Sequence, residues 1–310
     1  MGNRRVYAGA GSLNHKLVPQ SLARKTPSSP RRREDAKEHK DLLGDSLSLG
    51  GFVVSFVSRA PKNLLIALAD VVGLGEENQM NPQRPRHISP FAEKCLLALA
   101  SEGLGTKLSL GGAFGLAYYL EYRETHDVDA WWDASAGEQE RRRIVRCLEE
   151  TLSSFGQIRT RSWGDVVSVE LVKDGKAVFG FQIARRAEQL EASQIAPWPP
   201  HFLLDSFRDL VAAKMVALVE RGAPRDFRDV HALCDAGLAD PELCWSLWGE
   251  RQRLTGDDVS SSRAELAILT HLGRIELHRP VANISDPAQR AKAEQVRAWF
   301  RKEFLSGLLD

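Results

Sequence analysis

Residues 108–132 read LSLGGAFGLAYYLEYRETHDVDAWW, and the rest of the chain can be placed by working outward from them. The pattern predicts a short strand over 107–110, a turn at Gly111-Gly112, a helix, and a second strand carrying Asp127 and Asp129. Paired glycines allow tight turning and close backbone approach to a ligand. A helix beginning there would turn its free amides toward an anion. Residues i and i+2 of a strand share one face, so both carboxylates point the same way. Like charges held that close repel, and a divalent cation relieves the repulsion. In phosphoryl transfer such a cation also neutralises charge on the phosphate oxygens. The stretch thus predicts a nucleoside triphosphate site, against the plainer alternative of two solvated acids at a strand end. Asp133 lies past the strand and reads as a cap. LSLGG also occurs at 47–51, but there no helix pattern or paired aspartates follow.

Upstream, Ser89 suits an N-cap and Pro90 the first helical position, and 91–101 is apolar at helical spacing. Residues 76–90 read as a linker, and 46–75 have room for a strand and a helix. Residues 1–45 are rich in Arg, Lys, Ser and Pro, with few large apolar side chains to offset the entropy of ordering. They read as a disordered tail or as a basic arm for RNA. Met80 precedes the first legible structure, so translation starting there is a further expectation. The whole chain has 310 residues and a formal net charge of +1, which gives no global field for nucleic acid or membrane. Its four scattered cysteines form no CxxC pair, and its longest apolar run is broken by charges and Pro61. A cytoplasmic protein without a membrane span is expected.

Downstream, 137–155 reads as a helix, followed by strands at 158–163, 166–172 and 177–183. The last two flank the hairpin signal Lys173-Asp174-Gly175-Lys176. Prolines 197, 199 and 200 mark a break, after which helices are expected over 205–220, 225–234, 241–252, 263–272 and 287–304. The fold class is therefore α+β, a mixed sheet with flanking helices followed by a helical C-terminal region. The corresponding domains are 1–88, 89–200 and 201–310. Lys214 falls within the apolar stripe of its helix, so it snorkels, finds a partner or faces a cleft. Arg221 lies on roughly the same side. The acids of Arg225-Asp226-Phe227-Arg228-Asp229 share a helical face, placed to orient Lys214 or Arg221 or to bridge to neighbouring arginines. His126, next to Asp127, is expected on the opposite strand face.

Gly111-Gly112, a helix, then Arg123-x-Thr125-x-Asp127-Val128-Asp129 resembles the Gly-Gly and R-x-[ST]-x-D-[IV]-D pattern of the AbiEii-type nucleotidyltransferase toxins. Lys214, Arg221 and the Arg225-Asp226-x-x-Asp229 segment resemble that family's helical K, R and RDxxD segment. The match spans about 91–240. It implies a polymerase-β-like nucleotidyltransferase core, Mg2+ bound with the nucleotide on Asp127 and Asp129, and a bacterial toxin–antitoxin context with a cognate antitoxin. It also implies transfer from an NTP to an RNA (tRNA-like) or protein hydroxyl. By the same resemblance Gly111 and Gly112 cradle the triphosphate with Arg123 and Arg221, and Thr125 sits at the rim. Lys214 contacts phosphates, and Asp226 or Asp229 supports the catalytic face.

One departure stands out. Related transferases place a third carboxylate on a later strand, where this chain has Gln182, which neither accepts a proton nor binds magnesium as a carboxylate does. Glu170, Glu188 or Glu191 could substitute, or the two aspartates and metal suffice. The remaining alternative is a catalytically weak or inactive nucleotide- or RNA-binding regulator on the same fold.

Overall fold

The computed structural model describes residues 81–186 and 188–305. The readings of the basic arm, of 46–75, of Met80 and of the first LSLGG lie outside the described residues. Helix α1 (Pro90–Ser101) starts with Pro90 at its first position, and the Ser89 carbonyl accepts the Glu93 amide at 2.9 Å. Strand β1 (Leu108–Gly111) leads into α2 (Gly112–Leu116), and β2 (Asp127–Trp132) follows. Then come α3 (Glu138–Ser153), β3 (Gln157–Trp163), β4 (Val166–Lys173) and β5 (Lys176–Arg185).

These strands and two short ones, β6 (Gln194–Ile195) and β7 (Leu203–Leu204), form one sheet in the order β3-β4-β5-β2-β1-β7-β6. The sheet is mixed. β2 runs parallel to β5 and β1 parallel to β7, and the other neighbours are antiparallel. Strand alternation divides it into two faces. Val128 and Ala130 of β2, Val169 and Leu171 of β4, and Phe179, Phe181 and Ile183 of β5 are buried in a core shared with Leu96, Leu99, Leu148 and Leu152 of α1 and α3. The alternate positions, Asp127, Asp129, Ser168, Glu170, Gly180 and Gln182, therefore lie on the other face.

The remainder is helical: α4 (Phe207–Glu220), α5 (Pro224–Asp235), α6 (Pro241–Thr255), α7 (Ser261–His278) and α8 (Pro287–Trp299). Their apolar faces close a second core around Leu210, Met215, Leu218, Phe227, Leu247, Ile268 and Phe300. Leu116 of α2 belongs to that second core, so the opening stretch of the sequence is packed into both. Among the described residues no helix is long and apolar enough to cross a membrane, and all four cysteines are free thiols.

Three expectations need correction. The sheet does not end before the prolines, because β7 follows them and pairs with β1 at Ser109↔Leu203 and Leu110↔Leu204. The helix after the glycines has five residues, too short to sum an appreciable dipole. The last helix is α-helical only to Trp299 and ends in a π-helical turn, Phe300–Phe304, that buries Phe300 and Phe304.

The junction after β7 is held by a buried acid. The Ser206 hydroxyl caps α4 by accepting the Asp209 amide at 3.0 Å. The Asp209 carboxylate accepts Ser206 Oγ at 2.7 Å, the amides of Leu190 and Glu191 at 2.9 and 3.0 Å, and an ion pair from Arg251 of α6. One side chain thus fixes where α4 starts, and α4 carries Lys214.

Candidate active site

A cleft of about 300 Å³ opens on the sheet face opposite α1 and α3. Asp127, Asp129, Ser168, Glu170, Gly180 and Gln182 line it from the sheet, with Ala113 from α2. Arg123, Thr125 and His126 line it from the segment before β2, and Lys214, Arg221 and Arg225 from α4 and α5 and their junction. Six of the residues singled out in the sequence, Arg123, Thr125, Asp127, Asp129, Lys214 and Arg221, are thereby brought together. Gly111 pairs with Asp129 across β1 and β2. Gly112 sits at φ +60°, and a Cβ there would overlap the Asp129 carboxylate. The Gly-Gly turn is therefore pressed against that carboxylate, as only a residue without a side chain allows.

Asp129 is half-buried and Asp127 exposed. Burial is the main cause that raises the Asp129 pKa. Lys214 lowers it, Asp127 raises it further, and Arg225 and Arg221 lower it without cancelling the rise. The unliganded site thus disfavours its own negative charge, and a divalent cation would offset that. Among the described residues no three His, Cys, Asp or Glu side chains converge as a metal cage. Magnesium is commonly held by one or two carboxylates together with substrate phosphates and water. The Asp127–Asp129 pair fits an ion that shares its coordination with a nucleotide.

Lys214 has found a partner and faces the cleft as well. Its ammonium lies 2.7 Å from Asp229 Oδ2, and its side chain is 9% exposed. Arg123 donates to the same carboxylate, Nε to Oδ1 at 2.9 Å and a second guanidinium nitrogen to Oδ2 at 3.2 Å. Burial alone would raise the Asp229 pKa, but Lys214 and Arg123 outweigh it and hold the carboxyl below its ordinary value. Asp229 therefore presents two cations toward the floor of the cleft. Asp226, expected among the catalytic groups, does not line it. Its carboxylate is buried, accepts two hydrogen bonds from Arg221 at 2.8 and 2.9 Å, and accepts the Ala223 amide at the start of α5. Its position at the first turn of a helix explains this, because the free amides there recruit a carboxylate.

The place left open by Gln182 is also clarified. Gln182 pairs with Asp129 in β5–β2 and with Ser168 in β4–β5. One row away Glu170 pairs with Gly180, which pairs with Asp127. Gly180 has no side chain to stand between them, so the cleft reaches Glu170. Glu170 is held at 2.6 Å by Arg159 of β3. Glu188 and Glu191 do not line the cleft, and Glu191 pairs with Arg208.

The sequence reading assigns neither His126 nor Arg225 to the cleft, yet both line it. His126 lies just before β2 starts at Asp127, so strand alternation does not govern it. Arg225, at the second position of α5, lines the cleft, and its side chain makes no hydrogen bond or ion pair among the described residues. Its position inside the RDxxD segment was the available signal.

The buried charge cluster has a measurable consequence. Asp229→Ala leaves Lys214 and Arg123 uncompensated and is expected to cost about 3–5 kcal/mol in urea unfolding at neutral pH. The depressed pKa means the wild-type contribution is present above the ordinary carboxylate range and is lost as pH falls through the lowered value. The gap between the two proteins should therefore close in acid. A loss under about 1 kcal/mol at neutral pH, the range of a surface pair, would contradict the assignment.

Comparison with known proteins bears on this geometry. Among curated proteins none matches the chain. Several solved structures resemble it weakly. One is an H. pylori protein assigned as a nucleotidyltransferase, with TM-score 0.38, 17% identity and coverage of 69% of this chain and 98% of that one. The solution structure of the antibiotic-resistance factor ANT(2″)-Ia gives 0.32 and 14%, covering 61% and 92%. The crystal structure of ANT(2″)-Ia with adenylyl-2″-tobramycin gives 0.29 and 17%, covering 58% and 94%. The profile of the "Nucleotidyl transferase AbiEii toxin, Type IV TA system" family matches residues 94–301, well over half of the chain and including both the Gly-Gly to Asp129 unit and the Lys214 to Asp229 unit. The chain belongs to the AbiEii nucleotidyl transferase toxin family and is a nucleotidyltransferase.

Proposed function

We propose that the protein moves a nucleotide from an NTP held with Mg2+ on Asp127 and Asp129 to a macromolecular hydroxyl, and that it acts as the toxin of a bacterial toxin–antitoxin pair. The observation that carries this reading is the convergence of two like-charged carboxylates, one of them with a raised pKa, on a glycine turn opposite three basic side chains. When bound, the ion would neutralise charge on the phosphates and favour the ionised carboxylates. Lys214 and Arg225 would bind the phosphates, and the ion pair with Asp229 holds Lys214 in place. Arg221 is tied to Asp226 but lines the same wall and adds positive potential. Gly112 lets the backbone come close to the nucleotide and to Asp129.

The acceptor hydroxyl attacks the α-phosphorus, a bond to the new oxygen forms, and pyrophosphate leaves. Gln182 by itself favours a binding-only protein. Glu170, reached across Gly180, supplies a third carboxylate in the same cleft and favours a working transferase whose proton acceptor has moved by one row of the sheet. Arg159 would have to release Glu170, or share it, for that role.

Incubation with each α-labelled NTP, Mg2+ and a cell extract should label a macromolecule. Asp127→Ala and Asp129→Ala should each lower the labelling about a thousandfold and relieve growth inhibition in cells. Full labelling by a folded Asp127→Ala/Asp129→Ala protein would end the proposal. A second test concerns stability without ligand. The Asp129 pKa is raised in the fold, so its ionised form costs stability, and the cost grows as pH rises from 3.8 through the raised value. Asp129→Asn should therefore melt higher than wild type at neutral pH in metal-free buffer, with the gap shrinking in acid. Mg2+ with an NTP should raise the melting temperature of wild type alone. A lower-melting Asp129→Asn variant would contradict the charge assignment.

A further inference from the structure

The sheet face that carries the carboxylates continues past the cleft onto β3. Sheet register places Arg161 of β3 opposite Ser168, Ser168 opposite Gln182, and Gln182 opposite Asp129. Arg161 therefore stands on the same sheet face as Asp129, three strands away, about 14 Å at the usual spacing between strands. Trp163 is two residues on along β3, so it shares that face. Ser162, between them, instead lines the surface groove against α3 on the other face, together with Arg141 and Val145, as alternation requires.

Both side chains are uncommitted. Trp163 is 51% exposed, and among the described residues it is the only aromatic in the set of exposed large hydrophobics. The Arg161 side chain makes no hydrogen bond or ion pair among the described residues, whereas its neighbour Arg159 is neutralised by Glu170. A half-exposed indole two residues from a free guanidinium on the same strand face suits a single-stranded nucleic acid, whose bases stack and whose phosphates pair with arginine. A hydroxyl presented at Asp129 by the end of such a strand leaves the nucleotides just behind it lying over Ser168 and Arg161. A globular protein acceptor would leave the stacking and phosphate-pairing character of these two side chains unused.

We propose that Trp163 and Arg161 are acceptor-positioning residues, stacking a base and pairing a phosphate of a single-stranded RNA end that crosses β4 and β5 to reach the Asp127–Asp129 site. This rests on the nucleotidyl-transfer reading of that site. Neither residue lines the cleft assigned to the NTP, so both would act on the acceptor alone.

The test uses the full chain with a labelled single-stranded RNA oligonucleotide and, separately, an α-labelled NTP. Trp163→Ala should weaken RNA binding roughly tenfold or more, and Trp163→Phe should restore much of it. Arg161→Ala should weaken binding and reduce the salt slope by about 0.7, one phosphate contact of a single strand. In the transfer assay both should raise KM for RNA while kcat and NTP affinity stay near wild type. Circular dichroism and melting of the Phe variant guard against a simple folding defect. A Trp163→Ala/Arg161→Ala protein with wild-type RNA affinity and KM overturns the inference. So does a wild-type protein that labels only protein, an outcome that leaves the nucleotidyl-transfer reading standing. Failure of wild type to bind any NTP overturns both.

Discussion

Two carboxylates one residue apart on β2 are forced onto one face of the sheet by strand geometry, and the burial of Asp129 beside its like-charged neighbour is the constraint around which the rest is arranged. One neighbour, Gly112, has no side chain, which lets the turn press against Asp129. Opposite stand Lys214, Arg221 and Arg225, whose charges pull the Asp129 pKa down but do not cancel the effect of burial. The apo protein therefore keeps an electrostatic cost at this point, which the proposed metal-bound nucleotide would relieve on both walls. The nearby acids serve the opposite purpose. Asp229 is paired with Lys214 and Arg123, and Asp226 with Arg221, so both fix the helices; with Glu170 paired to Arg159, the cleft's uncompensated negative charge is left to β2.

The two halves of the protein meet at this balance. α4 starts where the Asp209 cluster sets it, and it carries Lys214 to the sheet. Arg123, from the segment before β2, crosses to Asp229 on α5 and closes the same junction. A buried polar junction of this kind is costly unless its charges are paired, and here Lys214, Arg123 and Arg251 each meet a buried carboxylate. That explains why a lysine persists within an otherwise apolar helix stripe.

Much of this was legible in the sequence. Alternation gave the shared face of Asp127 and Asp129, and helical spacing singled out Lys214. Prolines and glycines marked most element ends. What was not legible depends on pairing between distant residues. The role of Glu170 needs the register of three strands and the absence of a side chain at Gly180, neither of which periodicity encodes. The choice between Asp226 and Asp229 needs to know which acid meets the helix's free amides and which meets Lys214. Strands β6 and β7 have two residues each, below the length at which alternation carries a signal. His126 was misread because alternation was extended one residue past the strand's actual start.

The central claim is that the Asp127–Asp129 pair holds a divalent ion jointly with a nucleotide. Mn2+ can stand in for Mg2+ and be followed by its electron paramagnetic resonance signal as protein and a non-hydrolysable NTP are added. The account predicts that the free Mn2+ signal falls for the wild-type protein with nucleotide well beyond the fall with nucleotide alone, and that Asp127→Asn/Asp129→Asn abolishes this extra binding while leaving the fold intact. Equal Mn2+ binding by the wild-type and the doubly substituted protein would contradict it.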